Sequence, residues 1–398
     1  MNKGFVQTVI IGLVISLAAA GFIFFVLPGL ISPDSEGDQV KPEFGYGSDA
    51  IQGEILEILE EGETQLGGVT QVYQVLKVRL LEGEYQGLEL TVDYGKHQLR
   101  PEGLNLKPGD KVILTLGRGV DNLVQARFLD FVRTGPLLIL FGTFVFFSVL
   151  ISGWKGVRSL LGMGVSIGVI ILYIIPQILQ GKDPVLITVS GAFFLLSVTL
   201  YLVYGWTLKT HAAVLGTLAS LILTAFLANY FVDLTRMTGF GNEDALFLIQ
   251  QSEITINMQG LVLGGMLIGA LGVLDDLVIT QASVVFELYS IDPEMMVKEL
   301  YQRAMRVGQD HVAATVNTLV LAYAGAALPM FLLFSISGAQ IGYLLNLEYV
   351  AEEVVRTMVG SLGLITAVPL TTILSSLIVK KQYAFGSLRK LLGPTTME

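Results

Sequence analysis

Eight stretches of this chain are long and apolar enough to cross a bilayer, and this pattern limits its fold more than any other feature. A helix needs about 20 predominantly apolar residues to span the ~30 Å hydrocarbon core. Such windows fall at 6–31, 135–152, 160–179, 185–204, 212–232, 261–286, 312–335 and 354–379. The composition agrees: of 398 residues, 53% are hydrophobic and only 15% are charged, well below the roughly 25% of soluble domains. A soluble enzyme and a disordered or fibrous chain are both excluded. There is no cysteine, so disulfides, thiolate metal sites and cysteine nucleophiles are excluded as well.

The first apolar run exceeds the 7–15 residues of a signal-peptide core, so residues 1–31 read as an uncleaved signal anchor. Lysine and arginine fix the expected sidedness. With the N-terminus inside, the inner flanks hold Lys3, Lys155, Arg158, Lys209, Lys298, Arg303, Arg306, Lys380, Lys381, Arg389 and Lys390. The short outer loops hold Lys182, Arg236 and Arg356. This asymmetry places both termini in the cytoplasm of a bacterial inner (cell) membrane and segment 32–133 outside. That segment carries 18 acids and 10 bases, a balance that argues against nucleic acid as a partner.

Within it, short alternating runs punctuated by glycine predict about five strands over 50–130, a small closed β-barrel of OB or SH3-like type. Its aromatics are sparse, which favours a structural or docking role over a ligand site. The expected domains are the anchor 1–31, the extracytoplasmic β domain 32–133, a seven-helix membrane domain 134–380 and a cytoplasmic tail 381–398. The chain's two tryptophans, Trp154 and Trp206, each follow a glycine between two spans. They mark either a duplicated helical hairpin or two interfacial anchors.

The most informative span is 261–286, because Asp275 and Asp276 lie near its middle. A charge there costs at least ~2.5–3.5 kcal/mol on insertion scales, so an intramembrane acid is a functional candidate. Gly265, Gly269, Gly272, Asp276, Thr280, Ser283 and Glu287 recur at helical spacing and form one small, polar seam. Glycines on such a seam suit close approach of a neighbouring helix. Asp276 is expected to take up and release protons, and Asp275, about 100° around the helix among Ile268, Leu271 and Ile279, to be held by a fixed partner. Residues 291–308 read as an amphipathic helix on the inner leaflet. Supporting polar groups are His311, Thr315, Asn317 and Thr318 in the next span, with Arg356 and Ser361 in the last. Arg356 is expected to reach for water rather than for Asp276. No cofactor, metal site or catalytic residue is expected. Acids that are neighbours on one helix diverge, unlike the facing pair of an aspartyl protease.

Four segments carry a resemblance: Trp206-Thr-Leu-Lys-Thr-His-Ala-Ala, Gly269-Ala-Leu-Gly-Val-Leu-Asp-Asp with Thr280-Gln-Ala-Ser, Gln309-Asp-His-Val-Ala-Ala-Thr-Val-Asn-Thr, and Gly360-Ser-Leu-Gly-Leu with Pro369-Leu-Thr-Thr. Together they resemble the YibE/F-like family of bacterial multi-span membrane proteins, which implies the membrane architecture but no particular activity. The order of glycine-rich span, Asp275-Asp276, Glu287, amphipathic helix and Pro329 is also similar to the centre of RND-type proton-driven exporters, and implies proton carriage by the aspartates. The chain departs from that pattern: it has one half-repeat, a far smaller external domain, extra helices and no intramembrane lysine as counter-ion.

The fold expected is therefore an α-helical polytopic membrane protein of about eight transmembrane helices with a small external β-barrel. The function expected is transport coupled to protons or ions through Asp275 and Asp276. Its partners would be membrane lipid, a small substrate or ion and, as an open option, a second copy of the chain. The alternative is a scaffold that docks a partner through the external domain or the inner amphipathic helix, and an enzyme is not expected.

Overall fold

The computed structural model describes residues 50–100, 104–118, 124–241, 243–251, 255–338, 340–382 and 392–395. The anchor expected over 1–31 and most of the tail 381–398 lie outside these residues. By packing, the chain divides into one unit up to Phe147 and another formed mainly by Ser148 onward.

The first unit holds five antiparallel strands: β1 Ala50–Leu66, β2 Val69–Leu80, β3 Glu89–Tyr94, β4 Lys111–Arg118 and β5 Val124–Phe131. β1 and β2 form one long hairpin that closes at Leu66 and Val69. Its two turn residues, Gly67 and Gly68, both have positive φ (58° and 82°), which is what a tight turn matched to strand twist demands. Irregularities at Ile55/Glu57 and Ile58/Glu60 bend β1, and bulges of this kind increase local twist. The alternating apolar positions Ile55, Leu76, Val78, Val92, Val112 and Leu114 meet in one core.

The closed barrel expected from the sequence is corrected here. The sheet runs β3-β2-β1-β4-β5 and stays open between its edge strands. Side chains bridge those edges: the Tyr94 ring on β3 lies 4.6 Å from Phe128 and 6.2 Å from Phe131 on β5. Ring contacts rather than ladder hydrogen bonds thus join β3 to β5.

The helices are α1 Thr134–Val169, continued by a π-turn over Ile170–Ile174 into α2 Ile175–Leu179, then α3 Pro184–Tyr204, α4 Leu208–Leu234, α5 Glu243–Gln251, α6 Met258–Ile291, α7 Val297–Ala326, α8 Leu328–Ser337, α9 Ile341–Leu344 and α10 Glu348–Lys380. Among the described residues, five helical runs are long and apolar enough to cross a membrane, or six when the pair α7 and α8, bent by 59°, counts as one. Eight spans are thus not found. One window, 6–31, lies outside the described residues, and two others, 135–152 and 160–179, fall inside a single 46-residue run. That run is itself two helices joined across a kink at Gly153 (φ 58°, ψ −134°), one window lying before the kink and the other after it. Gly205, which precedes the other tryptophan, ends α3 with φ 73°. Both Gly-Trp steps therefore use the glycine in a conformation that other residues adopt at a cost.

Close contacts at glycines and small residues set the packing. Thr188 of α3 meets Gly264 and Pro184 meets Gly260, so α3 and α6 run parallel. Thr371 of α10 meets Gly216, and Gly363 meets Thr224, so α4 runs antiparallel to α10. Gly308 of α7 meets Val368, and Leu319 meets Gly360, so α7 is antiparallel to α10 too. The bundle consequently gathers the C-termini of α3, α6 and α10 with the N-termini of α4 and α7 at one end. The inner-leaflet helix expected over 291–308 is instead the first part of α7, which continues unbroken to Ala326.

Candidate functional site

α6 is the helix on which the site depends. Asn257 starts it, its Oδ1 accepting the Gly260 N–H at 2.9 Å, and its 34 residues suffice to cross the bilayer with turns to spare. Its broad apolar face, including Leu267, Leu271, Leu274, Val278 and Ala282, enters the main core. Burying each such side chain contributes roughly 1.5–3 kcal/mol in water; in lipid the same face is selected by packing.

The small, polar seam therefore points the other way. Gly265, Gly272, Asp276 and Glu287 are exposed, and Gly269, Thr280 and Ser283 are half-buried. A Cβ added at Gly265 or Gly272 would meet nothing within 4 Å. The glycines of the seam were expected to admit a neighbouring helix; among them a Cβ added at Gly269 would lie 3.1 Å from the Tyr323 hydroxyl of α7. Spacing identifies the face, but the longer leucine and valine stripe decides which face turns inward.

The two aspartates differ in setting. Asp276 stands on the exposed face; Asp275 is half-buried, and its Oδ1 is shut off from solvent with no hydrogen-bond partner. Tyr204 at the end of α3 lies within electrostatic reach of both carboxylates. Three turns along the seam, Glu287 lies within reach of Lys209, which also senses Lys155. Ser283 turns its hydroxyl back to the Ile279 carbonyl at 2.9 Å.

The supporting residues do not converge on the aspartates. Thr315 donates to the His311 carbonyl and Thr318 to that of Ala314, while Asn317 is exposed. Arg356 pairs on its own helix, through Nη2 to Glu352 at 2.5 Å and through Nη1 to Glu353 at 3.8 Å. These acids lie one turn earlier in α10, and Arg356 is not paired with Asp276. Ser361 is buried, with its hydroxyl unpartnered.

Several polar residues escaped the sequence reading. Gln281, fully buried beside Thr280, donates from Nε2 to the Ala304 carbonyl (3.1 Å) and to Thr372 Oγ1 (2.7 Å). It ties α6 to α7 and α10. An amide in the middle of an apolar span is the signal that marks it in the sequence. Glu352, 6% exposed, and Tyr204 gave less sign of their roles. A separate polar hollow of about 310 Å³, lined by Asp183, Asn229, Asn257 and Gln259 among others, lies where α3 and α6 begin. Among the described residues, no group of three or more histidine or acidic side chains is arranged to hold a metal ion.

The family model described as YibE/F-like protein matches residues 140–381, which include all of α3 to α10. No curated protein and no solved structure matches the chain, so the likeness to RND-type exporters gains no support.

Proposed function

The chain belongs to the YibE/F-like family, and on that premise we propose that it is a transporter of the bacterial inner membrane, coupled to protons or small cations at Asp275 and Asp276. The observation that carries this reading is the pair itself. Two adjacent acids stand about halfway along an apolar 34-residue helix, one exposed and the other with a buried oxygen that nothing in the protein satisfies. Packing alone gives no reason to keep such groups in a membrane span, where ionisable residues mark ion and proton routes. Thr280, Ser283 and Glu287 continue the seam toward the end of the bundle that gathers Lys155, Lys209, Lys298 and Lys380. We take that end as cytoplasmic, with the β sheet outside.

Purified full-length protein in lipid vesicles, with an imposed pH gradient and an internal pH-sensitive dye, tests the proposal. The wild type is expected to dissipate the gradient, and Asp276→Asn, which keeps the shape but cannot titrate, to lose that flux with normal protein yield. Asp275→Asn is expected to lower yield more than coupling. Wild-type flux by Asp276→Asn between about pH 6 and 8, where histidine-range and perturbed carboxyl groups titrate, would sink coupling through this residue. The outward-facing seam would then favour the scaffold reading, in which a partner helix covers the glycines.

A further inference from the structure

Two hollows follow each other along the groove between α3 and α4, toward the end of the bundle where α3 and α6 begin. The apolar one, about 330 Å³, is lined by Val189 and Phe193 of α3 and by Leu218, Leu221, Ile222 and Ala225 of α4. The polar one, about 310 Å³, takes up one turn further along both helices, at Leu186 on α3 and at Asn229 on α4. From Phe193 to Asp183, and from Leu218 to Asn229, the helices rise roughly 15 Å, half of the ~30 Å hydrocarbon core. The two hollows together thus match one leaflet, polar at its surface and apolar toward the mid-plane. Leu186 and Ile222, 71% and 70% exposed, leave the groove open to the side, where the bilayer lies.

The polar hollow is furnished with acceptors. Asp183 caps α3 through Oδ1, which takes the N–H groups of Val185 at 2.9 Å and Leu186 at 3.0 Å and leaves Oδ2 open. Gln259 Nε2 donates to Asp233 Oδ1 at 3.0 Å, and Asn229 Nδ2 to Asp233 Oδ2 at 3.4 Å. Each of these amides therefore turns its carbonyl oxygen away from that carboxylate. Among the described residues, no lysine or arginine pairs with Asp183 or Asp233; the neighbouring Lys182 ammonium donates to Gln177 instead. The N-termini of α3 and α6 would favour an anion, but Asp183 and Asn257 already cap them. An open carboxylate oxygen beside two amide oxygens suits a cation rich in donors, such as a primary ammonium with its three N–H groups.

We propose that this groove binds a membrane lipid with a primary-amine head, of the phosphatidylethanolamine type, its ammonium among Asp183, Asn229 and Gln259 and one acyl chain along Val189, Phe193 and Ile222. The head's charge complements the polar hollow, and its chain meets the apolar wall one turn deeper. A head without N–H donors leaves the acceptors to water, and an anionic head meets a like charge. The bound head joins α3, α4 and α6, which supply Asp183, Asn229 and Gln259 in turn. The site is independent of the role proposed for Asp275 and Asp276.

Native mass spectrometry of the full-length protein, exchanged in detergent into an equimolar mixture of phosphatidylethanolamine, phosphatidylcholine and phosphatidylglycerol, reads the site. Phosphatidylcholine keeps the head's charge but has no N–H donor, and phosphatidylglycerol is anionic. The wild type is expected to retain phosphatidylethanolamine at least about tenfold over either, the size of one hydrogen bond to a charged group. Asp183→Asn keeps the helix cap, since asparagine caps as well as aspartate, and should erase the preference. Asn229→Ala, at an exposed position, should weaken it and serves should Asp183→Asn fail to fold. Ala225→Phe fills the apolar hollow and should lower retention of phosphatidylethanolamine. Free phosphoethanolamine, which has no chain, should not displace the bound lipid. Equal retention of the three lipids, or a preference for phosphatidylglycerol, would overturn the proposal. An unchanged preference in both Asp183→Asn and Asn229→Ala would overturn the assigned head site, and unchanged retention in Ala225→Phe the assigned chain site. Displacement by phosphoethanolamine would make the ligand a soluble amine and overturn the lipid.

Discussion

Thr371 fills the hollow that Gly216 leaves: a Cβ on that glycine would lie 2.4 Å from the threonine hydroxyl. Two turns away the exchange is reversed, with Thr224 facing Gly363 at the same 2.4 Å. α4 and α10 thus lock in antiparallel register by a reciprocal pair of small and branched residues. Thr371, Ser375 and Ser376 are fully buried, and their hydroxyls have no partner. Hydroxyls in a helix commonly bond the carbonyl four residues earlier, as Thr372 does with Val368 at 2.6 Å.

The first prediction follows from this lock. Gly216→Ala should destabilise the protein by about 1–3 kcal/mol, the usual cost of overpacking, and Thr371→Ala in the same chain should restore part of the loss. Thermal melts of the two single variants and the double variant in detergent give the coupling. Additive losses would mean that the two residues do not share the contact.

Gln281 makes the second. Gln281→Leu removes two donors from a three-helix junction and should cost about 1–3 kcal/mol, whereas Gln302→Leu, on an exposed position of α7, should cost much less. Equal melting temperatures for the two would show that the junction is not held by the amide.

Sidedness is the third. Because the chain has no cysteine, single cysteines report cleanly. Gln86→Cys should react with an impermeant maleimide applied to intact cells, and Ser159→Cys only after permeabilisation. The reverse pattern would invert the orientation taken from the basic residues.

The β sheet offers a pH-dependent fourth. Glu89 lies 2.8 Å from Lys77 and 2.9 Å from Arg79, and hydrogen bonds from these two bases hold its carboxyl below the usual range. A carboxyl lowered in the folded state adds stability above its unfolded value of about 4.3, and that stability is lost as pH falls through the lower folded value. The isolated segment 50–133 should melt cooperatively with a β-type circular dichroism spectrum. Its melting temperature should fall below about pH 4.3 less steeply in Glu89→Gln than in the wild type. Identical acid profiles would rule out this contribution.

How much of this could be read in the sequence varied with the range of the interaction. The apolar windows after residue 134 and the strands around Gly67-Gly68 are local patterns, and they reappear as helices and strands of the fold; the window 6–31 lies outside the described residues. The acids at 275 and 276 were conspicuous because a charge in an apolar run needs no neighbour to look anomalous. The open edge between β3 and β5 was not legible: closure depends on whether backbones or the rings of Tyr94 and Phe128 meet across the gap.

The sequence by itself determined that the chain has membrane-spanning helices and a small antiparallel sheet, since these follow from hydropathy and spacing along one segment at a time. Only the tertiary structure decided that the glycine seam of α6 turns outward, that Arg356 belongs to Glu352 and Glu353, and that Gln281 ties three helices. It also decided that residues 392–395 reach back to the turn at Trp206. Helical period names a face but not its partner, because the direction a face takes is set by competition among all the faces that must pack.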